Sequence, residues 1–226
     1  LLNELTSQVT SSGYAYKIDS DLRPEGKSGL MVNSIKSYED YYKGRARTWE
    51  QQAMVRARFI AGNQQTGQNF INMVKKFTYR PKLEYESIIE IFRSRKRIEK
   101  DLAEEVTKGK NVKLGYGGLA DIEFSVQILQ MMHGGKNIRL RETNTLSAIV
   151  QLDTLGIIDH KDSENIKKNY IFLRNLECAL RIQNLSLMSH LPKEQEKLLM
   201  LAKFLKYSGR NSTDIVEKFR NDYSQS

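Results

Sequence analysis

Apolar and polar positions follow two different periods along this chain. From Tyr14 to Asp21 they alternate, which predicts a strand with Tyr14, Tyr16 and Ile18 on one face and Lys17, Asp19 and Asp21 on the other. Arg23-Pro24-Glu25-Gly26-Lys27-Ser28-Gly29 then breaks the run into a basic turn. Beyond it the pattern is helical. Asn33 and Ser34 are placed to cap a short helix through Tyr42. The stretch carrying Trp49, Ala53, Val55 and Phe59 fits helix and strand alike. Phe70 to Phe77 reads as helix, Pro81 as a break, and Glu84 to Thr107 as a long helix with Ile88, Ile91, Phe92, Ile98, Leu102 and Val106 drifting along one face.

Gly109, Gly115, Gly117 and Gly118 mark a loop. A helix from Leu119 to His133 follows, closed by Gly134-Gly135. Thr143 and Asn144 start another that ends at Gly156. Asp162 or Ser163 begins a long one carrying Tyr170, Leu173, Leu176, Leu180 and Leu187, and Pro192 ends that region. Two more helices are expected near Glu194 to Tyr207 and Ser212 to Tyr223. With no strand pattern after about residue 80, the expected class is α+β, mostly α: a small mixed piece over residues 1–80, then an all-helical bundle over residues 81–226.

Composition narrows the setting. With 39% apolar and 28% charged residues the chain is globular rather than disordered. No apolar run approaches the roughly 20 residues of a membrane span, and no signal sequence opens the chain. The chain begins without Met, in Leu1-Leu2-Asn3-Glu4-Leu5, which already reads as helix, so a section of something longer is expected. The single cysteine, Cys178, excludes an internal disulfide, fits a reducing cytoplasm, and in its apolar helical setting reads as an inert core thiol. A net charge of +9 fits an anionic partner. Arg93-Ser94-Arg95-Lys96-Arg97 lies inside a helical pattern and reads as a solvated face; no RNA- or DNA-reading motif or zinc spacing accompanies it, so neither a nucleic-acid nor a membrane partner is expected. His133, His160 and His190 are scattered and form no evident ligand set.

The strand end carries the candidate chemistry. Asp19 and Asp21 share a face and offer hard oxygen ligands to a divalent metal, while Arg23 and Lys27 suit a phosphate. Together they point to phosphoryl or nucleotidyl transfer; the competing reading is an ordinary strand end with solvated acids. Gly26-Lys27-Ser28 is not a P-loop. That motif needs a glycine where Asp21 stands, and Pro24 removes a backbone donor. Asp121 and Glu123 lie two apart and share no helix face, so they are expected as caps or partners of buried arginines rather than a joint metal site. Gly117 and Gly118 read as permitting a tight turn.

Several stretches in order resemble one family, the glutamine synthetase adenylyltransferases, also called glutamate–ammonia-ligase adenylyltransferases. The family's third-acid strand, Asp-x-Arg-Leu-Arg-Pro-x-Gly, is matched by Asp19-Ser20-Asp21-Leu22-Arg23-Pro24-Glu25-Gly26. Tyr41-Tyr42 and Trp49-Glu50-Gln51-Gln52-Ala53-Met54-Val55-Arg56-Ala57-Arg58 match a second motif. Lys113-Leu114-Gly115-Tyr116-Gly117-Gly118-Leu119-Ala120-Asp121-Ile122-Glu123-Phe124, with Gln127, matches a third. Tyr170-Ile171-Phe172-Leu173-Arg174-Asn175-Leu176-Glu177 and Leu191-Pro192 also resemble the family.

The resemblance implies the C-terminal part of a polymerase-β-type nucleotidyltransferase domain over residues 1–80, followed by the helical bundle. It implies an enzyme that transfers AMP from ATP to a tyrosine of glutamine synthetase, or removes it by phosphorolysis, with Mg2+ as cofactor, glutamine synthetase and a PII signalling protein as partners, and a cytoplasmic location. Asp19 would be the catalytic third acid, with Asp21 beside it at the metal, and Arg23, Arg56 and Arg58 would steer the triphosphate. Two departures stand out. The Gly-Ser-Asp-x-Asp element with the family's first two acids does not precede Asp19 here, so this stretch is expected to be inactive alone. The family's arginine two residues after the third acid is Asp21 here, which either weakens nucleotide binding or rebuilds a metal pair. The competing functional reading is a non-catalytic helical module that binds glutamine synthetase or a PII protein. A nucleic-acid-binding helical domain is a third reading, resting on charge alone.

Overall fold

The computed structural model describes residues 19–103, 110–184 and 189–226. Within them the regular elements are helices: α1 (Ile35–Gly44), α2 (Thr48–Ala53), α3 (Gln64–Thr78), α4 (Tyr85–Ala103), α5 (Leu119–His133), α6 (Thr145–Thr154), α7 (His160–Asn184), α8 (Gln195–Phe204) and α9 (Ser212–Gln225). The only β pairing among the described residues is an isolated antiparallel bridge, Asn111 with His190. Most of the predicted strand, Tyr14 to Ile18, lies outside the described residues, as do Val106, Thr107 and Gly109 of the predicted long helix and its end, and Leu187. The described end of that strand is not extended ladder. Asp21 opens a turn, and its N–H donates to Asp19 Oδ1 at 2.9 Å, a side-chain turn that bends the chain away from strand geometry.

Helix starts follow local chemistry. Ser34, Asn63, Asn144 and Asn211 each accept from the backbone N–H three residues on and cap α1, α3, α6 and α9. The open stretch around Trp49 resolves into α2 and a 3-10 turn, Met54–Arg56. The long helix begins at His160, earlier than the sequence predicts, because Asp159 Oδ1 takes the Lys161 N–H at 2.8 Å. Ahead of α5, Gly117 sits at φ +71°, and a Cβ on Gly118 would lie 2.7 Å from the Val112 carbonyl, so both glycines serve the tight turn.

Four apolar clusters hold the molecule. The largest joins Leu119, Leu173, Leu176 and Leu180 to Leu201, Val216 and Phe219, all essentially inaccessible. Burying each such side chain stabilises the fold by about 1.5–3 kcal/mol. A second gathers Val126, Leu140, Ile149 and Leu152. A third, Tyr41, Tyr42, Val74 and Phe77, packs α1 on α3. The fourth unites Val55 with Ile91, Ile128 and Met131, so the region before residue 80 and the bundle after it share one core. Cys178 departs from expectation: it is exposed. Leu176 and Leu180 take the buried face of α7, and the position midway between them points outward.

Candidate functional site

The loop after Asp19 is shaped by one arginine. Arg23 donates from Nε to Gly29 O (3.0 Å), from Nη1 to Ser20 O (2.8 Å) and Ser20 Oγ (2.7 Å), and from Nη2 to Lys27 O (3.0 Å). All four bonds stay within the loop, so this guanidinium closes it rather than reaching outward. Glu25 adopts φ +64° and pairs with Arg45 at 2.6 Å, which ties the loop to the end of α1. Asp21 faces Lys27, 3.6 Å away.

This loop, α1, the segment after α2 and the start of α3 enclose a cleft of about 860 Å³. Tyr38 and Tyr42 from α1, Phe70 from α3 and Phe59 give it an aromatic wall, and Tyr38 meets Phe70 edge-on with ring centroids 5.0 Å apart. Burial pushes the Tyr42 phenol far up, so it stays protonated. Gly67 lets the Phe59 ring lie against α3: a Cβ on it would lie 2.1 Å from the ring in its present position. The charged residues lining the cleft are Asp19, Arg23 and Arg58. Arg58 is exposed and makes no hydrogen bond or ion pair with the described residues. Asp21 does not line the cleft.

Arg56 goes elsewhere. It donates to Thr143 O at 3.1 Å and to Thr145 Oγ1, and lies 3.6 Å from Glu123, which also accepts from Tyr170 Oη at 3.1 Å. Arg56 therefore belongs to a polar seam between the cleft region and the bundle. Gln51 donates to Phe77 O and Thr78 O, Gln52 bonds Gln127 at 2.8 Å, and Glu50 accepts from Tyr41 Oη and Arg47 N, each at 2.8 Å. Asp121 takes the buried Arg95 Nε at 2.7 Å and the Gly117 N–H at 2.8 Å, so it is both arginine partner and loop cap. The sequence missed the cleft wall, although Tyr38 and Tyr42, four apart on a helix, share a face.

A second charged group forms where the sequence saw scattered histidines. Asp153 Oδ2 and His160 Nδ1 are 2.9 Å apart, and these atoms lie within 4.8 Å of a Glu164 carboxylate oxygen. The hydrogen bond to Asp153 raises the His160 pKa, and the same bond lowers that of Asp153. Lys167 pairs with Glu164, so each of the two acids already has a basic partner. No described helix is long and apolar enough to cross a membrane.

Against known proteins, residues 1–73 match the family model described as glutamate-ammonia ligase adenylyltransferase. Three similar relatives all carry the name bifunctional glutamine synthetase adenylyltransferase/adenylyl-removing enzyme. That of Hahella chejuensis is 31% identical over 99% of this chain and 23% of its own length. That of Mycobacterium tuberculosis strain H37Rv is 34% identical over 90% and 21%, and that of Pseudomonas aeruginosa 34% over 76% and 18%. The chain belongs to the glutamine synthetase adenylyltransferase family.

Residues 89–226 match a second family model, described as GlnD PII-uridylyltransferase. The two descriptions name different transferred groups. The adenylyltransferase relatives run through both parts of the chain, so the assignment rests on them. The chain spans about a fifth of the length of these adenylyltransferase relatives. Two of the motifs that carry the family resemblance, Trp49 to Arg58 and Lys113 to Phe124, supply the polar seam, and the motif beginning at Asp19 forms one rim of the cleft.

Proposed function

We propose that this chain is a section of an enzyme that moves AMP between ATP and a tyrosine of glutamine synthetase, and that the cleft is part of its nucleotide side. The observation that carries this reading is the convergence of Asp19, Arg23 and Arg58 on one aromatic-walled cleft. Tyr38, Tyr42, Phe59 and Phe70 suit a flat heterocycle, and Arg58, which has no partner among the described residues, suits a phosphate. Arg23 acts by closing the loop that carries Asp19. Arg56 supports the site from behind, by locking the segment before Arg58 onto the bundle. The reading also takes a cytoplasmic setting and a PII protein as regulator.

Mg2+ is the cofactor this reading takes. Asp19 supplies a carboxylate, one oxygen of which also accepts the Asp21 N–H. One carboxylate does not hold the ion alone, and the described cleft residues add no second one. When bound, with Asp19 among its ligands, the ion would supply positive charge that offsets the phosphates and favours ionisation of the attacking hydroxyl. The role of Asp19 is to hold negative charge at the cleft rim. The helical packing of the described bundle suits one alternative, a non-catalytic module that docks glutamine synthetase or a PII protein.

The test is AMP transfer to glutamine synthetase by the full-length protein with labelled ATP and Mg2+. Asp19→Asn should lower transfer and removal by about a hundredfold or more, the scale of losing one charged group in a reacting centre, with an unchanged fold. Asp21→Arg should preserve or improve nucleotide binding. If Asp21→Arg destroys activity and Asp19→Asn spares it, the metal ligand is Asp21. A full-length protein that binds glutamine synthetase without transferring AMP would establish the docking module instead.

A further inference from the structure

Helix α4 leaves one face without a partner among the described residues. Ile91 and Arg95 are buried against the rest of the protein. At 100° per residue, the opposite arc carries Arg93, Lys96, Arg97 and Lys100, with Tyr85 and Phe92 on its flank. Tyr85 is 70% and Phe92 52% exposed, and the four cations are exposed as well. On other helices some surface charges pair along the helix, as Lys36 does with Asp40, Lys43 with Glu39 and Lys218 with Asp214. None of Arg93, Lys96, Arg97 and Lys100 has a carboxylate partner among the described residues. Four like charges within about 10 Å of helix repel one another, a cost that Glu90 and Asp101, at helical spacing from Arg93 and Arg97, offset only in part and that a complementary surface would reduce further.

The shape of this face decides between partners. Glu86 and Glu90 occupy the N-terminal half of the same arc, beside Tyr85. A continuous phosphate backbone laid along the helix would meet them, and the cationic half spans only about three phosphates of one strand. A protein surface with a few carboxylates next to an apolar spot matches both halves. The face is also fixed relative to the cleft. Ile91 shares a core with Val55, which lies in the 3-10 turn running directly into Ala57 and Arg58 of the cleft wall, and Thr48 Oγ1 donates to Glu90 at 2.5 Å. A protein substrate needs such a remote, rigidly held contact to bring one hydroxyl to a small site.

Resting on the function proposed above, we propose that the Tyr85–Phe92–Arg93–Lys96–Arg97–Lys100 face of α4 docks an acidic, apolar-centred patch of the glutamine synthetase on which the full-length protein acts. Aromatic side chains anchor the contact and the cations set its orientation and on-rate.

The test uses the full-length protein carrying R93E, K96E and R97E together, its binding to immobilised glutamine synthetase, and its AMP-transfer kinetics. The triple variant should bind about tenfold or more weakly and raise KM for glutamine synthetase by a similar factor, with kcat and the KM for ATP unchanged. The difference should shrink between about 50 mM and 0.5 M salt. R93K with R97K should keep most of the affinity, and Phe92→Ala should weaken binding at every salt concentration. Unchanged binding in the triple variant overturns the proposal, as does a wild-type protein that does not bind glutamine synthetase. A loss confined to single-stranded RNA binding, with KM for glutamine synthetase intact, also overturns it and makes the face a nucleic-acid surface. If the wild type binds but transfers no AMP, the enzymatic reading fails alone, and the binding comparison still decides this one.

Discussion

The cleft region, residues 19–80, and the bundle that follows are held together differently. The bundle rests on fully buried aliphatic side chains: Leu173, Leu176, Leu180 and Leu201 leave almost nothing to solvent. The cleft region has one smaller apolar cluster, Tyr41, Tyr42, Val74 and Phe77, and otherwise rests on turn geometry and polar staples. Arg23 closes its own loop, Glu25 sits at positive φ, and Leu22, Leu30, Met31, Val32, Phe59 and Ile60 remain exposed. Exposed apolar residues gathered in one region mark a surface made to be covered by a ligand or by further protein. The bundle therefore supplies most of the stability and the cleft region the candidate nucleotide cleft, and the seam through Gln52 and Arg56 makes the first a platform for the second.

That contrast can be broken by substitution, and the largest effect belongs to the bundle. Phe219→Ala should cost about 3–5 kcal/mol in chemical denaturation, because the ring is wholly buried. A loss under 1 kcal/mol would mean the largest cluster is not the main source of stability. Arg23→Gln should cost about 1–2 kcal/mol, confined to the loop, since three carbonyls lose a charged donor at a partly exposed site. Faster proteolysis or amide exchange within residues 20–29, with the global midpoint nearly unchanged, is the expected signature; a large global shift would refute the division.

Gly67→Ala sharpens the comparison further. Alanine favours the helix by up to about 1 kcal/mol, but its methyl group displaces the Phe59 ring, which is half-exposed and able to move. Net stability should change by less than about 1 kcal/mol. Nucleotide affinity in the full-length protein should fall because a cleft wall is lost; unchanged affinity would remove Phe59 from the site.

The smallest effect is His160→Gln. The Asp153 partner raises the histidine pKa above its usual 6.5 in the folded state, so the stabilisation is fully present below 6.5 and disappears as pH rises through the raised value. Asp153 acts in the opposite sense: its contribution holds above its usual 3.8 and is lost as pH falls through its lowered value. The melting temperature of the wild type should exceed that of the variant between these limits and coincide with it in alkali. A gap that persists in alkali would show that the imidazole acts by packing instead of charge.

The sequence by itself determined what depends on neighbours along the chain. Helix periods, caps such as Ser34 and Asn144, and the stop after His133 are local, because a helix satisfies its backbone within a few residues and its ends announce themselves in side-chain chemistry. The family was legible for the same reason, through short motifs in order. Only the tertiary structure decided which distant groups meet. Arg56 bonds residue 143, Val55 enters a core with Ile128, and Tyr38, Phe59 and Phe70 close one cleft around Asp19 and Arg58. It also turned Cys178 to solvent and brought Asp153 to His160. Those outcomes depend on how helix faces pack across long loops, and a stripe of apolar residues says that a face is buried without saying against what.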